Sequence, residues 1–119
     1  MNQRKLLELI HYSADAMIPY KKLTDEQQDK LMGITYDFCS CKLCKNVMAH
    51  ANIKTWKIGI SKFYFNTLTK GPSPVPITLL ELISSTLHEI IHILFPTLSE
   101  KQVERKTKSW IRQSKWYKF

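Results

Sequence analysis

No run in this 119-residue chain approaches the ~18 apolar residues that a helix needs to cross a bilayer. A helical membrane protein is therefore not expected. The opening residues, Met1-Asn2-Gln3-Arg4-Lys5-Leu6-Leu7-Glu8, lack the apolar region and small-residue cleavage site of a secretory signal. That absence predicts an intracellular, cytoplasmic protein. Cysteine is scarce and odd in number: Cys39, Cys41 and Cys44 are all there are, which argues against a disulfide framework. There is no internal repeat and no linker, and the length suits one core. The whole of 1–119 is therefore expected to form a single domain.

Acidic residues are also in deficit, 10 against 18 lysines and arginines, for a net charge of +8. The shortage is steepest near the end. Lys101, Arg105, Lys106, Lys108, Arg112, Lys115 and Lys118 are opposed there by one acid, Glu104. Such a concentration predicts an anionic partner or an acidic cleft in the protein itself.

The hydrophobic fraction of 44% is that of a globular chain, and its periodicity predicts an α+β fold. Leu6, Leu7, Ile10, Ala14, Met17 and Ile18 recur at helical spacing over about residues 2–18, where Pro19 stops the pattern. Thr24 with Gln27 forms a capping-box pattern for a short helix that Gly33 can close. Ile34, Tyr36 and Phe38 alternate with polar residues, as in a strand. Residues 43–51 read as ambiguous. Residues 53–65 are rich in strand formers, with Gly59 a candidate bulge or hairpin element. Three prolines in five residues, Pro72, Pro74 and Pro76, make 70–76 a loop. Thr78 with Glu81 then caps a strongly apolar helix running to Phe95, and Pro96 ends it. Ser99 with Gln102 caps a last helix reaching about Trp116. The expected architecture is a small, mostly antiparallel sheet with one central motif-bearing helix and a helix following it.

That motif is Leu87-His88-Glu89-Ile90-Ile91-His92, an H-E-x-x-H in mid-helix. Residues four apart stack on one helical face, so His88 and His92 can reach one metal ion. Imidazole nitrogens suit zinc, and a catalytic zinc takes three protein ligands and one water. Glu89 lies beside the metal rather than on it, where it can take a proton from the zinc-bound water. The competing reading is a buried helix that happens to carry two histidines. It leaves three polar side chains needing partners, which is costly.

A third ligand is expected from the helix that begins at Ser99. Glu100 and Glu104 lie on one side of it. Glu100 occupies the first turn, where acids commonly serve the helix dipole. Glu104 is a full turn further in, between Val103 and Thr107, and is the favoured ligand on that ground.

His88-Glu89-Ile90-Ile91-His92, followed by Phe95-Pro96-Thr97-Leu98-Ser99-Glu100 and then Glu104, resembles the minigluzincin group of minimal zinc metallopeptidases. The resemblance spans roughly residues 58–111. It implies a short sheet, an active-site helix and a following helix that supplies a glutamate. It makes His88, His92 and Glu104 the ligands and Glu89 the base, and it raises the prospect of a latent enzyme with a terminal tail in its cleft.

Two constellations stand outside that pattern. Cys39, Cys41 and Cys44 offer three soft donors at close spacing, with His50 or His11 as a fourth. The plainer reading makes two of them small buried hydrophobes. From about residue 112, basic and aromatic residues interleave through Lys115, Trp116, Tyr117, Lys118 and Phe119. These could neutralise phosphates and stack on bases, while the plainer reading has Trp110 packed as core. The expectation is a zinc-dependent endopeptidase acting on a peptide or protein substrate and not on a membrane. Its rival is a small basic nucleic-acid-binding protein with a structural or vestigial metal site.

Overall fold

The computed structural model describes residues 3–42, 47–63 and 79–114. Helix α1 (Gln3–Ala16) buries Leu6, Leu7, Ile10 and Ala14 along one stripe, as their spacing demands. Met17 and Ile18 continue the buried surface just past it, in a turn held by Met17 N–H to Ala14 C=O at 3.1 Å. A short 3₁₀ turn, Tyr20–Lys22, leads to α2 (Asp25–Gly33). The predicted capping box is present at its start. Gln27 N–H donates to Thr24 Oγ1 at 3.2 Å, and Thr24 N–H donates to Gln27 Oε1 at 3.0 Å.

Three strands follow: β1 (Thr35–Cys39), β2 (Ala49–Asn52) and β3 (Lys57–Ser61). Asn52 Oδ1 accepts from the N–H groups of Lys54 and Thr55 at 3.0 and 3.2 Å, which folds β2 back on β3 as a hairpin. Trp56 ends that turn in the left-handed region at φ 57°, an uncommon conformation for a bulky residue. Its ring packs against the core.

The strand order is β1-β3-β2, so β3 lies in the middle. β2 pairs antiparallel with β3, and β1 pairs parallel with it. The expected α+β class holds, and the sheet is mixed. The parallel pair arises because β2 itself carries the chain across, and the hairpin then inserts β3 beside β1. Gly59 makes no bulge: register runs unbroken through Asp37↔Gly59 on one side and His50↔Gly59 on the other.

Tyr36, Phe38, Ala49, Ala51, Ile58 and Ile60 share the sheet face that packs on the helices. Against them lies α3 (Leu79–Leu94), in which Leu82, Ile83, Thr86, Leu87, Ile90, Ile91, Ile93 and Leu94 are all buried. So wide an apolar surface can be satisfied only at the centre of the fold. α3 contacts α1, α2, β2, β3 and the final helix α4 (Glu100–Ser114). The predicted loop at 70–76 and the Thr78 cap fall outside the described residues.

Candidate metal centre

From Leu82 to His92 the residues of α3 that escape full burial are Ser84, Ser85, His88, Glu89 and His92. Their spacing of three and four puts them along one side of the helix, a half-exposed polar stripe on a stretch that is otherwise buried. His88 and His92 are held one turn apart there, with Nε2 atoms 3.2 Å from each other. Two nitrogens each ~2.0–2.1 Å from one tetrahedral ion would be about 3.3 Å apart. The two imidazoles therefore already stand at a ligand pair's separation.

The third group comes from α4. Only a five-residue link, 95–99, separates it from α3. Leu98 N–H bonds Phe95 C=O at 3.1 Å, and the Ser99–Gln102 capping box forms as expected. Phe95 packs edge-on to Trp110, with Lys106 Nζ 4.6 Å from the Phe95 ring centroid, which closes the corner. α4 buries Val103, Thr107 and Trp110. Its first turn consequently lies beside the last turns of α3. Glu100 Oε1 is 2.5 Å from His88 Nε2, and Glu100 Oε2 is 2.9 Å from His92 Nε2.

His88, His92 and Glu100 thus form a group whose ligand atoms all lie within 4.8 Å of one another, and it could hold a metal ion. The histidine side chains are 19% and 24% exposed and the glutamate 64%, so solvent and small ligands reach the group. Partial desolvation pushes the Glu100 pKa up, but the hydrogen bonds and charge of His88 and His92 outweigh it, and the net shift is downward. An ionised carboxylate is the form in which a glutamate binds a metal.

Glu89 is not in that group. It lines a cleft of about 520 Å³ together with His88, and burial followed by the nearby Glu100 charge raises its pKa to about 7. The volume is that of an ordinary ligand pocket. Ser84, Ser85, His88 and Glu89 of α3 make one side, Val47, Met48 and Ala49 at the start of β2 another, and Glu100, Glu104, Thr107 and Lys108 of α4 a third. Ser85 Oγ–H to Met48 Sδ, 3.6 Å, ties α3 to the strand.

No family model, curated protein or solved structure matches the chain. Function must therefore be argued from this geometry.

Of the residues expected at the site, His88, His92 and Glu89 come together as the motif requires. Glu104 does not join the imidazoles: Glu100 takes that place, while Glu104 sits exposed one turn along and lines the cleft. The reason is axial position. Residues 100 and 104 share a flank of α4, but four residues are about 6 Å of helix, and the short link leaves only the first turn level with the histidines. Serving the helix dipole and facing the imidazoles are compatible, and Glu100 does both. Lys108 also faces the cleft and was not anticipated. Its place four residues after Glu104 was the available clue.

Cys39 and Cys41 come together with His50, the second group able to hold an ion among the described residues. His11, the other histidine considered for it, instead pairs with Asp15 at 2.9 Å and stacks on Tyr36. Trp110 is core, as the plainer reading had it. Cys44 and the basic aromatic end from Lys115 to Phe119 lie outside the described residues. Among those residues, no helix is long and apolar enough to cross a membrane.

Proposed function

We propose that this chain is a zinc-dependent metallopeptidase, with His88, His92 and Glu100 as the metal ligands and Glu89 as the general base. One observation carries the reading. Three donors converge on a point beside a cleft, and the carboxylate next in sequence to a donor lines that cleft without being a donor. Two imidazole nitrogens and one carboxylate oxygen are a catalytic zinc set, three protein ligands with a fourth position for water or substrate. Zinc in that set supplies Lewis acidity, which makes water a nucleophile at neutral pH and polarises a carbonyl.

The chain's own residues do the remainder. Glu89 accepts the proton of the attacking water and hands it to the leaving amine. Ala49 of β2 borders the cleft, and among the described residues β2 pairs on one side only. A peptide laid along the other side would gain backbone hydrogen bonds and run past Glu89, the geometry of β-augmentation. The minigluzincin resemblance points the same way and extends to latency, with the basic aromatic end as the candidate plug.

The test is metal analysis joined to hydrolysis of an unfolded protein such as casein. Protein purified without chelator should contain zinc, and hydrolysis should stop with chelator and return with zinc. His88→Ala should lose the ion of this centre, one zinc equivalent per chain, together with the activity. Iron in place of zinc, or casein left intact both by the zinc-loaded full chain and by a folded, zinc-loaded truncation after Gln113, would overturn the reading.

A second reading has one observation of its own. Lys101, Arg105, Lys108 and Arg112 are all exposed and form a single stripe along α4, opposite its buried face. Such a row could track a phosphate backbone. Binding of that kind should weaken steeply with salt, and Arg105→Ala with Arg112→Ala should flatten the dependence by about 2 in the log–log slope. Affinity that is absent at low salt sinks this reading.

A further inference from the structure

On the sheet face away from the helices, three residues of separate strands meet. Asp37, Gly59 and His50 are register partners across β1, β3 and β2, and Cys39 follows two residues after Asp37 on the same face of β1. His50 stands on one outer strand, and Cys39 ends the other, with Cys41 two residues beyond it. The ring of His50 lies over the middle strand to reach them: a Cβ built on Gly59 would be 2.7 Å from His50 Nε2 and 3.0 Å from Cys39 Cβ. The absent side chain at Gly59 is what leaves room for the ring. This is the physical reason for a glycine in the middle of a strand, which otherwise weakens it.

Across that gap, Cys41 Sγ and His50 Nε2 are 3.7 Å apart. A sulfur at ~2.3 Å and a nitrogen at ~2.0–2.1 Å from one tetrahedral ion would be separated by about 3.6 Å. The Sγ of Cys39 completes a set in which all ligand atoms lie within 4.8 Å of one another, half-exposed at the surface. Cys39 and Cys41 are thiols. Two thiolates and one imidazole form a soft donor set, the kind that selects zinc over magnesium or calcium.

We propose that Cys39, Cys41 and His50 form a second, thiolate-rich zinc site, separate from the histidine–glutamate centre and on the opposite face of the sheet. A tetrahedral ion takes one further donor beyond these three. Binding joins β1 to β2, strands that make no hydrogen bonds to each other because β3 lies between them. It also anchors the start of β2. His50 is two residues from Met48, which lines the catalytic cleft and whose carbonyl accepts from Ser61 N–H at 2.8 Å. The site is a clip that holds one side of the cleft, and it needs no step of catalysis.

The experiment is zinc stoichiometry and cobalt(II) substitution on the full chain, purified with a thiol reductant and without chelator. Wild type should hold about two zinc ions per chain, and both His88→Ala and the double variant Cys39→Ser/Cys41→Ser about one each. Cobalt bound to His88→Ala should show a thiolate-to-metal charge-transfer band, which His50→Ala weakens and Cys39→Ser/Cys41→Ser abolishes. Because that band is read in protein with both cysteines intact, it decides the matter even where the cysteine variants do not fold. Gly59→Ala keeps every donor but crowds the ring, and should reduce the second equivalent selectively. A single zinc unaffected by the cysteine changes, with no thiolate band, overturns the proposal. So does a Cys39–Cys41 disulfide that persists under reductant. If His88→Ala leaves the metal count unchanged and the cysteine variants remove the only ion, the clip stands and the peptidase reading falls.

Discussion

Glu89→Gln is expected to keep its zinc and to lose peptide hydrolysis by at least roughly 10²–10⁴-fold, the usual worth of a positioned acid–base group. The substitution preserves the size and most of the hydrogen-bonding capacity of the side chain, but an amide cannot take a proton from water. Glu89 stands outside the group of ligand atoms, so the ion has no reason to leave. Nor should the fold suffer. In the metal-free protein, burial and the Glu100 charge disfavour the ionised carboxylate at this position, so a neutral amide does not strain the fold on which the ion is loaded. Zinc content and turnover measured on the same preparation decide the matter. Zinc lost together with activity would make Glu89 a ligand. Turnover that persists at the wild-type rate would place the base elsewhere.

Glu100→Ala should lower zinc affinity by more than the roughly 10–100-fold typical of groups that only support a ligand, whereas Glu104→Ala should leave it nearly unchanged. Both carboxylates line the same cleft, so a general loss of negative charge would affect the two variants alike. Only Glu100 reaches both imidazoles, with one oxygen against each. Competition with a chelating dye reads the affinity directly and does not depend on any substrate. The reverse order of effects would restore Glu104 as the third ligand, the assignment that the minigluzincin resemblance implies.

These two predictions separate what was legible along the chain from what was not. His88, His92 and Glu89 could be read from residues 88–92 because all three stand on one helix, where spacing alone sets direction. The polar stripe they belong to could be read the same way, since Ser84 and Ser85 precede His88 by one turn. The capping boxes at Thr24 and Ser99 were equally visible, being contacts between residues three apart. Choosing between Glu100 and Glu104 required knowing how far along α4 the histidines fall. That depends on how α4 docks through Val103, Thr107 and Trp110, and no local rule encodes it.

Gly59 makes the same point on the sheet. A glycine within a strand pattern suggests a bulge or a hairpin element. Gly59 lies in the second strand of the β2–β3 hairpin, the register there is regular, and the glycine is explained by a histidine that comes from the neighbouring strand. The cysteine cluster was a list of donors in the sequence. Which histidine belonged to it was open, because His11 and His50 are both far from Cys41 by that measure.

By itself, then, the sequence determined the α+β class, the motif helix with its two imidazoles and the Glu89 carboxylate beside them, the caps at Thr24 and Ser99 and the buried stripes of α1, α3 and α4. Each of these depends on spacing within one element, where a fixed period of 3.6 or 2 converts order into direction. The tertiary structure alone decided the strand order, the glutamate that faces the histidines, the walls of the cleft and the partner of Cys39 and Cys41. Those are distances between elements, set by how apolar surfaces dock across the core, and a shift of one helical turn or one strand exchanges the residues that meet.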